Sequence, residues 1–170
     1  MKKLEDLIIT HKDFPKKGID FKDVLEIPMY PDIFRDMILK MSSNPFLKNA
    51  EAIISIDARG FIFGSAVALE SSKPMIVARK PGKLPGKIVT REYDLEYGKN
   101  SLSLQSNALK KFHSFVIIDD LLATGGTVDC VSKLVQDQKK EILGLITFVE
   151  LEKLKGRLKL DFPVHSIISM

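Results

Sequence analysis

Apolar residues along the chain keep two rhythms. One is the short near-continuous run, seen at 52–56, 75–78, 115–118 and 142–149, with a weaker one at 164–168. None of these runs alternates with polar residues, the pattern of a strand buried on both faces. The other rhythm is helical spacing. Leu4, Leu7, Ile8 and His11 predict a short helix within 2–11. Pro31 and Asp32 open a second helix, striped by Ile33, Phe34, Met37, Ile38 and Met41 and stopped by Asn44-Pro45. Gly60 opens a third, rich in small and apolar residues, and a fourth runs from about Thr127 to Gln138. Strands alternating with helices predict an α/β domain, a parallel twisted sheet flanked by helices. Ligands of such sheets bind beyond the carboxyl ends of the strands. That puts three loops at one rim: Asp57 to Gly60, the segment after Arg79, and the segment after residue 118. Two stretches keep neither rhythm. Residues 12–30 are irregular, and residues 80–98 are long and polar, with two Pro and three Gly.

Composition narrows the class. A length of 170 residues suits one domain, and 45% hydrophobic residues suffice for a core. No apolar run nears the roughly 18 residues of a membrane span. MKKLEDLIIT is too charged for a signal peptide. A single cysteine, Cys130, cannot form an internal disulfide, so a reducing, cytoplasmic location is expected. The net charge of +4 rests on 26 Lys+Arg against 22 Asp+Glu. Basic pairs such as Lys16-Lys17, Arg79-Lys80 and Lys110-Lys111 are short and lack interleaved aromatics, so no nucleic-acid partner is expected. His11, His113 and His165 are scattered without metal-ligand spacing and read as structural.

The chemistry concentrates in SFVIIDDLLATGGTVDC, residues 114–130. An aliphatic run meets two carboxylates, Asp119 and Asp120, and then a small-residue loop, Ala123-Thr124-Gly125-Gly126-Thr127, before a helix. Helix N-terminal amides lack internal partners and carry partial positive charge. Glycines let backbone approach a ligand. The loop reads as a monophosphate cradle or as a plain strand-to-helix turn capped by Thr127. The adjacent carboxylates favour the cradle. Like charges about 4 Å apart repel by roughly 4 kcal/mol at an effective dielectric of 20. They call for a divalent metal, a diol or basic side chains. The loop lacks the Gly-Lys-Ser/Thr of a Walker loop and the Gly-x-Gly-x-x-Gly of a dinucleotide turn.

Residues 116–127 resemble the phosphoribosyl-pyrophosphate (PRPP) motif of the type I phosphoribosyltransferases. Residues 14–23, 57–64, 79–86 and 93–98 resemble the adenine-using members of that family, and LEKLKGR at 151–157 fits their tail. The resemblance spans nearly the whole chain. It implies that adenine plus PRPP gives AMP plus pyrophosphate, with Mg²⁺, in a homodimer with no membrane partner. It implies one domain, 1–170, with an N-terminal hood within 1–30 and a flexible flap at 80–98. Carried over by motif, Ala123, Thr124, Gly125, Gly126 and Thr127 would hold the 5′-phosphate. Asp119 and Asp120 would hold the ribose hydroxyls near the metal, which PRPP itself would mainly bind. Arg59, Arg79, Lys80 and Lys83 would face pyrophosphate. Asp20, Phe21 and Lys22 would receive adenine, Phe21 by stacking and the other two through backbone groups. Asp20 and Lys22 depart from the aliphatic and arginine common there. Glu96, with Arg59, would be catalytic, Glu96 acting near the purine N7. Cys130 reads as a core residue.

Overall fold

The computed structural model describes residues 3–95 and 98–170. Its centre is a five-stranded sheet in which every neighbouring pair is parallel. The strands are β3 (Ala52–Ile56), β4 (Met75–Ala78), β7 (Ser114–Leu122), β8 (Glu141–Glu150) and β9 (Val164–Ser169), ordered β4-β3-β7-β8-β9. The near-continuous aliphatic runs of the central strands supply both faces of this sheet. On one face Ile53, Val116, Ile118 and Phe148 pack against α1 (Pro31–Ser42) and α3 (Gly60–Glu70). On the other, Ile54, Phe115, Ile117 and Leu145 pack against α5 (Gly126–Asp137). Two short helices, α2 (Phe46–Asn49) and α4 (Ser106–Lys110), complete the helical set.

Three elements differ from the sequence expectation. The helix expected within 2–11 is a single 3-10 turn, Leu4–Leu7, followed by strand β1 (Ile9–His11). β1 pairs antiparallel with β2 (Phe21–Asp23), within the segment expected to form the hood. The β-branched Ile8-Ile9-Thr10 run favours extension over the helical stripe. Residues 80–98, read only as a long polar segment, include strand β5 (Ile88–Leu95), which pairs antiparallel with β6 (Gly98–Gln105). Finally, β7 does not stop at the carboxylates. It runs on to Leu122, because β8 is long enough to pair with Asp119, Leu121 and Leu122 through Thr147, Val149 and Glu150.

Parallel pairing leaves the carboxyl ends of β3, β4 and β7 on one rim. The three loops expected there all emerge there.

Candidate active site

β7 carries Asp119 and Asp120 into the interior, where they are 8% and 6% exposed. Their side chains point to different neighbours, as successive strand residues must. Asp119 Oδ1 accepts the backbone N–H of Asp120 at 2.9 Å. It also lies 2.6 Å from where a Cβ on Gly60 would stand, so glycine is needed for α3 to begin against this carboxylate. Burial, and next the charge of Asp120, push the Asp119 carboxyl well above the ordinary carboxylate range. Burial also raises Asp120, with the Arg59 guanidinium opposing it. Arg59 Nε sits 2.8 Å from Asp120 Oδ2, an ion pair off the line a hydrogen bond needs. That buried oxygen is left without a hydrogen-bond partner. It suits a ligand hydroxyl or a cation-bound group.

Arg59 also reaches the hood. Its Nη1 lies 3.4 Å from the Lys22 carbonyl, and its guanidinium carbon lies 4.7 Å over the Phe21 ring. One arginine thus joins the carboxylate pair to the hood by charge and by a cation–π contact. Phe21 is half-buried and takes the edge of Phe14 at 5.2 Å. Lys22 spends its ammonium on Thr10 at 2.7 Å, so its backbone carbonyl is the part that faces Arg59. Asp20 is exposed.

The loop after β7 is lined by Asp119 and residues 121–128 around a cleft of about 80 Å³. Gly125 sits at φ +80° and ends in no side-chain cap for α5. The first i→i−4 bond of α5 runs from Asp129 N to Gly125 O, so the amides of Gly126, Thr127 and Val128 precede the helical ladder. The cleft therefore opens on an uncapped helix N-terminus, suited to an anion. The loop is clamped from behind. A Cβ on Gly125 would stand 2.5 Å from the Gly156 carbonyl oxygen, and one on Gly156 only 2.1 Å from the Ala123 carbonyl oxygen. Gly156 is held in turn by Arg157, which makes a two-pronged ion pair with buried Glu150 at 2.9 and 2.5 Å. Arg157 holds the Glu150 carboxyl below the usual carboxylate range.

The basic residues after β4 are only partly drawn in. Arg79 Nε pairs with Asp57 Oδ2 at 3.0 Å, and Lys80 and Lys83 are exposed beside it. Glu96 lies outside the described residues. Asp57 was not singled out by sequence, although a charge at the end of a buried run is the same signal that marked Asp119. Tyr93 and Gly156 were quoted in motifs but given no role. Among the described residues no cluster of three or more His, Cys, Asp or Glu could hold a metal ion.

Comparison with known proteins places this geometry. Residues 21–170 match the phosphoribosyl transferase domain family. An adenine phosphoribosyltransferase of Prochlorococcus marinus (strain AS9601) is 82% identical over 170 residues, all of both chains. The chain belongs to the adenine phosphoribosyltransferase family. Among solved members of this family, the Thermoanaerobacter pseudethanolicus enzyme superposes with a TM-score of 0.91 at 37% identity, covering 98% of each chain. The Saccharomyces cerevisiae enzyme, solved with an imino-altritol bisphosphate and adenine, gives 0.88 at 32% identity, over 97% of this chain and 96% of its own. The sheet order and the flanking helices described above are those of a type I phosphoribosyltransferase.

Proposed function

We propose that the chain transfers the phosphoribosyl group of PRPP to adenine, giving AMP and pyrophosphate in purine salvage. The observation that carries the reading is local. An uncapped helix N-terminus opens on a cleft lined by Asp119, and one arginine joins the neighbouring Asp120 to the Phe21 ring, in a chain of the adenine family over its full length. Adenine, as its N7–H tautomer, bonds through the N9 lone pair to C1′ of the ribose as the C1′–O bond to pyrophosphate breaks; the electron pair leaves with pyrophosphate, and the N7 proton passes out by way of Glu96. Charge on the sugar rises as that bond stretches, by analogy with glycoside cleavage.

The residue roles are those carried over by motif, and the placement of Asp119, Asp120, Arg59, Phe21 and residues 123–127 supports them. Residues 123–127 hold the 5′-phosphate through backbone amides and the hydroxyls of Thr124 and Thr127. Asp119 and Asp120 accept the ribose hydroxyls, with the unsatisfied Asp120 Oδ2 as the prime acceptor. Arg59, Arg79, Lys80 and Lys83 meet pyrophosphate. Phe21 stacks on adenine, and backbone groups of Asp20 and Lys22 read its edge. Glu96 is assigned the proton near N7. The two carboxylates and the substrate's phosphates fit a Mg²⁺ carried mainly by PRPP, since Mg²⁺ favours one or two carboxylates plus phosphates. Bound there, the ion would offset charge on the departing pyrophosphate. The enzyme is placed in the cytoplasm as a homodimer. Cys130 is buried, with its thiol pushed up to about 11 by burial, so it is no nucleophile. No helix among the described residues is long and apolar enough to cross a membrane.

The test is product formation from PRPP and Mg²⁺ with each purine base in turn. AMP from adenine alone is expected. Product from hypoxanthine, guanine or xanthine instead would move the base assignment while keeping the PRPP site.

A further inference from the structure

We propose that Tyr93 is a positioning residue for the 5′-phosphate, acting through Thr127. The inference rests on the PRPP reading of the loop after β7. Three observations place it. The Tyr93 hydroxyl lies 3.3 Å from Thr127 Oγ1, on the first turn of α5. Its ring edge lies 3.7 Å from where a Cβ on Gly126 would stand, so the phenol lies beside the helix's opening residues. And β5 is tied along α5 behind it: Cys130 Sγ donates to the Arg91 carbonyl at 3.4 Å, and the Arg91 guanidinium pairs with Asp137 at 2.5 Å. Tyr93 is therefore held by strand, helix and ring packing, and it stands three residues ahead of Glu96.

Hydrogen bookkeeping gives the mechanism. Either hydroxyl of the Tyr93–Thr127 pair can donate in the free chain. A threonine hydroxyl has one proton and two lone pairs. Once a phosphate oxygen accepts the Thr127 proton, only Tyr93 can donate between the two. The pair then becomes a directed relay, Tyr93 O–H to Thr127 O–H to phosphate, whose links polarise one another. Binding the 5′-phosphate thus fixes the Tyr93 hydroxyl and draws the β5–β6 hairpin onto the phosphate loop. Two hydroxyls 3.3 Å apart are a loose contact in the free chain, so the relay has room to tighten.

The test uses the full-length chain and calorimetric binding of ribose 5-phosphate, AMP, adenine and pyrophosphate. Tyr93→Phe keeps the ring and removes only the hydroxyl. Losing one net hydrogen bond should weaken ribose 5-phosphate and AMP alike, by about three- to tenfold. Pyrophosphate should bind unchanged and Tm should hold. In a Thr127→Val background, Tyr93→Phe should cause no further loss. Unchanged affinity for both 5′-phosphate ligands, or an equal loss for pyrophosphate, overturns the proposal. So does a loss that persists undiminished beside Thr127→Val. If wild-type chain binds neither ribose 5-phosphate nor AMP, the phosphate reading of the loop fails first, and the two failures are told apart.

Discussion

Asp119 and Asp120 show what burying a carboxylate pair costs a single chain. Both are buried, both have raised pKa values, and Arg59 is the one cation set against them by an ion pair among the described residues. A carboxyl raised in the folded state contributes most stability at low pH. That contribution is lost as pH rises from its unfolded value through the folded one. Ligand binding has the opposite slope. Ribose hydroxyls donate to ionised carboxylates, so binding must favour the deprotonated pair. PRPP–Mg²⁺ affinity should therefore be full above the raised Asp119 pKa and fall as pH drops through it, with protons released on binding. Isothermal titration in two buffers of different ionisation enthalpy measures that release. Asp119→Asn should abolish most of it. Release unchanged in this variant would remove Asp119 as its source.

At the scale of elements, the loop after β7 is shaped by what lies behind it as much as by what it faces. The sequence invites the expectation that a methyl on Gly125 would crowd the ligand. The structure instead turns that position toward Gly156, at φ +80°. Gly125→Ala should therefore cost stability, about 1–3 kcal/mol for strain at that backbone conformation, lowering Tm before any ligand is added. Gly126→Ala is the sharper probe. Its methyl would meet Tyr93 at 3.7 Å and Thr124 Oγ1 at 3.9 Å, both ordinary contacts, and alanine favours helix over glycine by about 1 kcal/mol. Tm should hold or rise while the KM for PRPP increases. A fall in Tm for Gly126→Ala with normal KM would reverse the assignment of the two glycines. Gly125 and Gly126 were legible as a pair from sequence, but their division of labour was not. It depends on Gly156, some thirty residues away and brought in by the Glu150–Arg157 ion pair.

Across the whole molecule, legibility followed burial. Strands shielded on both faces, such as 52–56 and 75–78, announce themselves as aliphatic runs, and the sheet's boundaries there match the sequence. Where polarity enters, pattern fails for a physical reason. β7 hides two charges inside a strand because its partner β8 pairs past them. The hairpin strand β5, with Thr90, Arg91, Glu92 and Asp94, draws stability from β6 and α5 rather than from its own periodicity. One further feature belongs to this scale. α3 is apolar nearly all round, as a helix covered on every side would be. Yet Ile62 and Leu69, two turns apart on one face, are 38% and 84% exposed in the single chain. A second copy covering that face fits the homodimer proposed above and the self-complementary patches of two-fold pairs. Wild-type chain should sediment as a dimer, and Ile62→Lys with Leu69→Lys as a monomer of unchanged Tm. A monomeric wild type would sink the dimer. A monomeric variant that keeps full activity would show that Arg79, Lys80 and Lys83 serve their own chain's site; one that folds but loses turnover would make the partner a contributor to it.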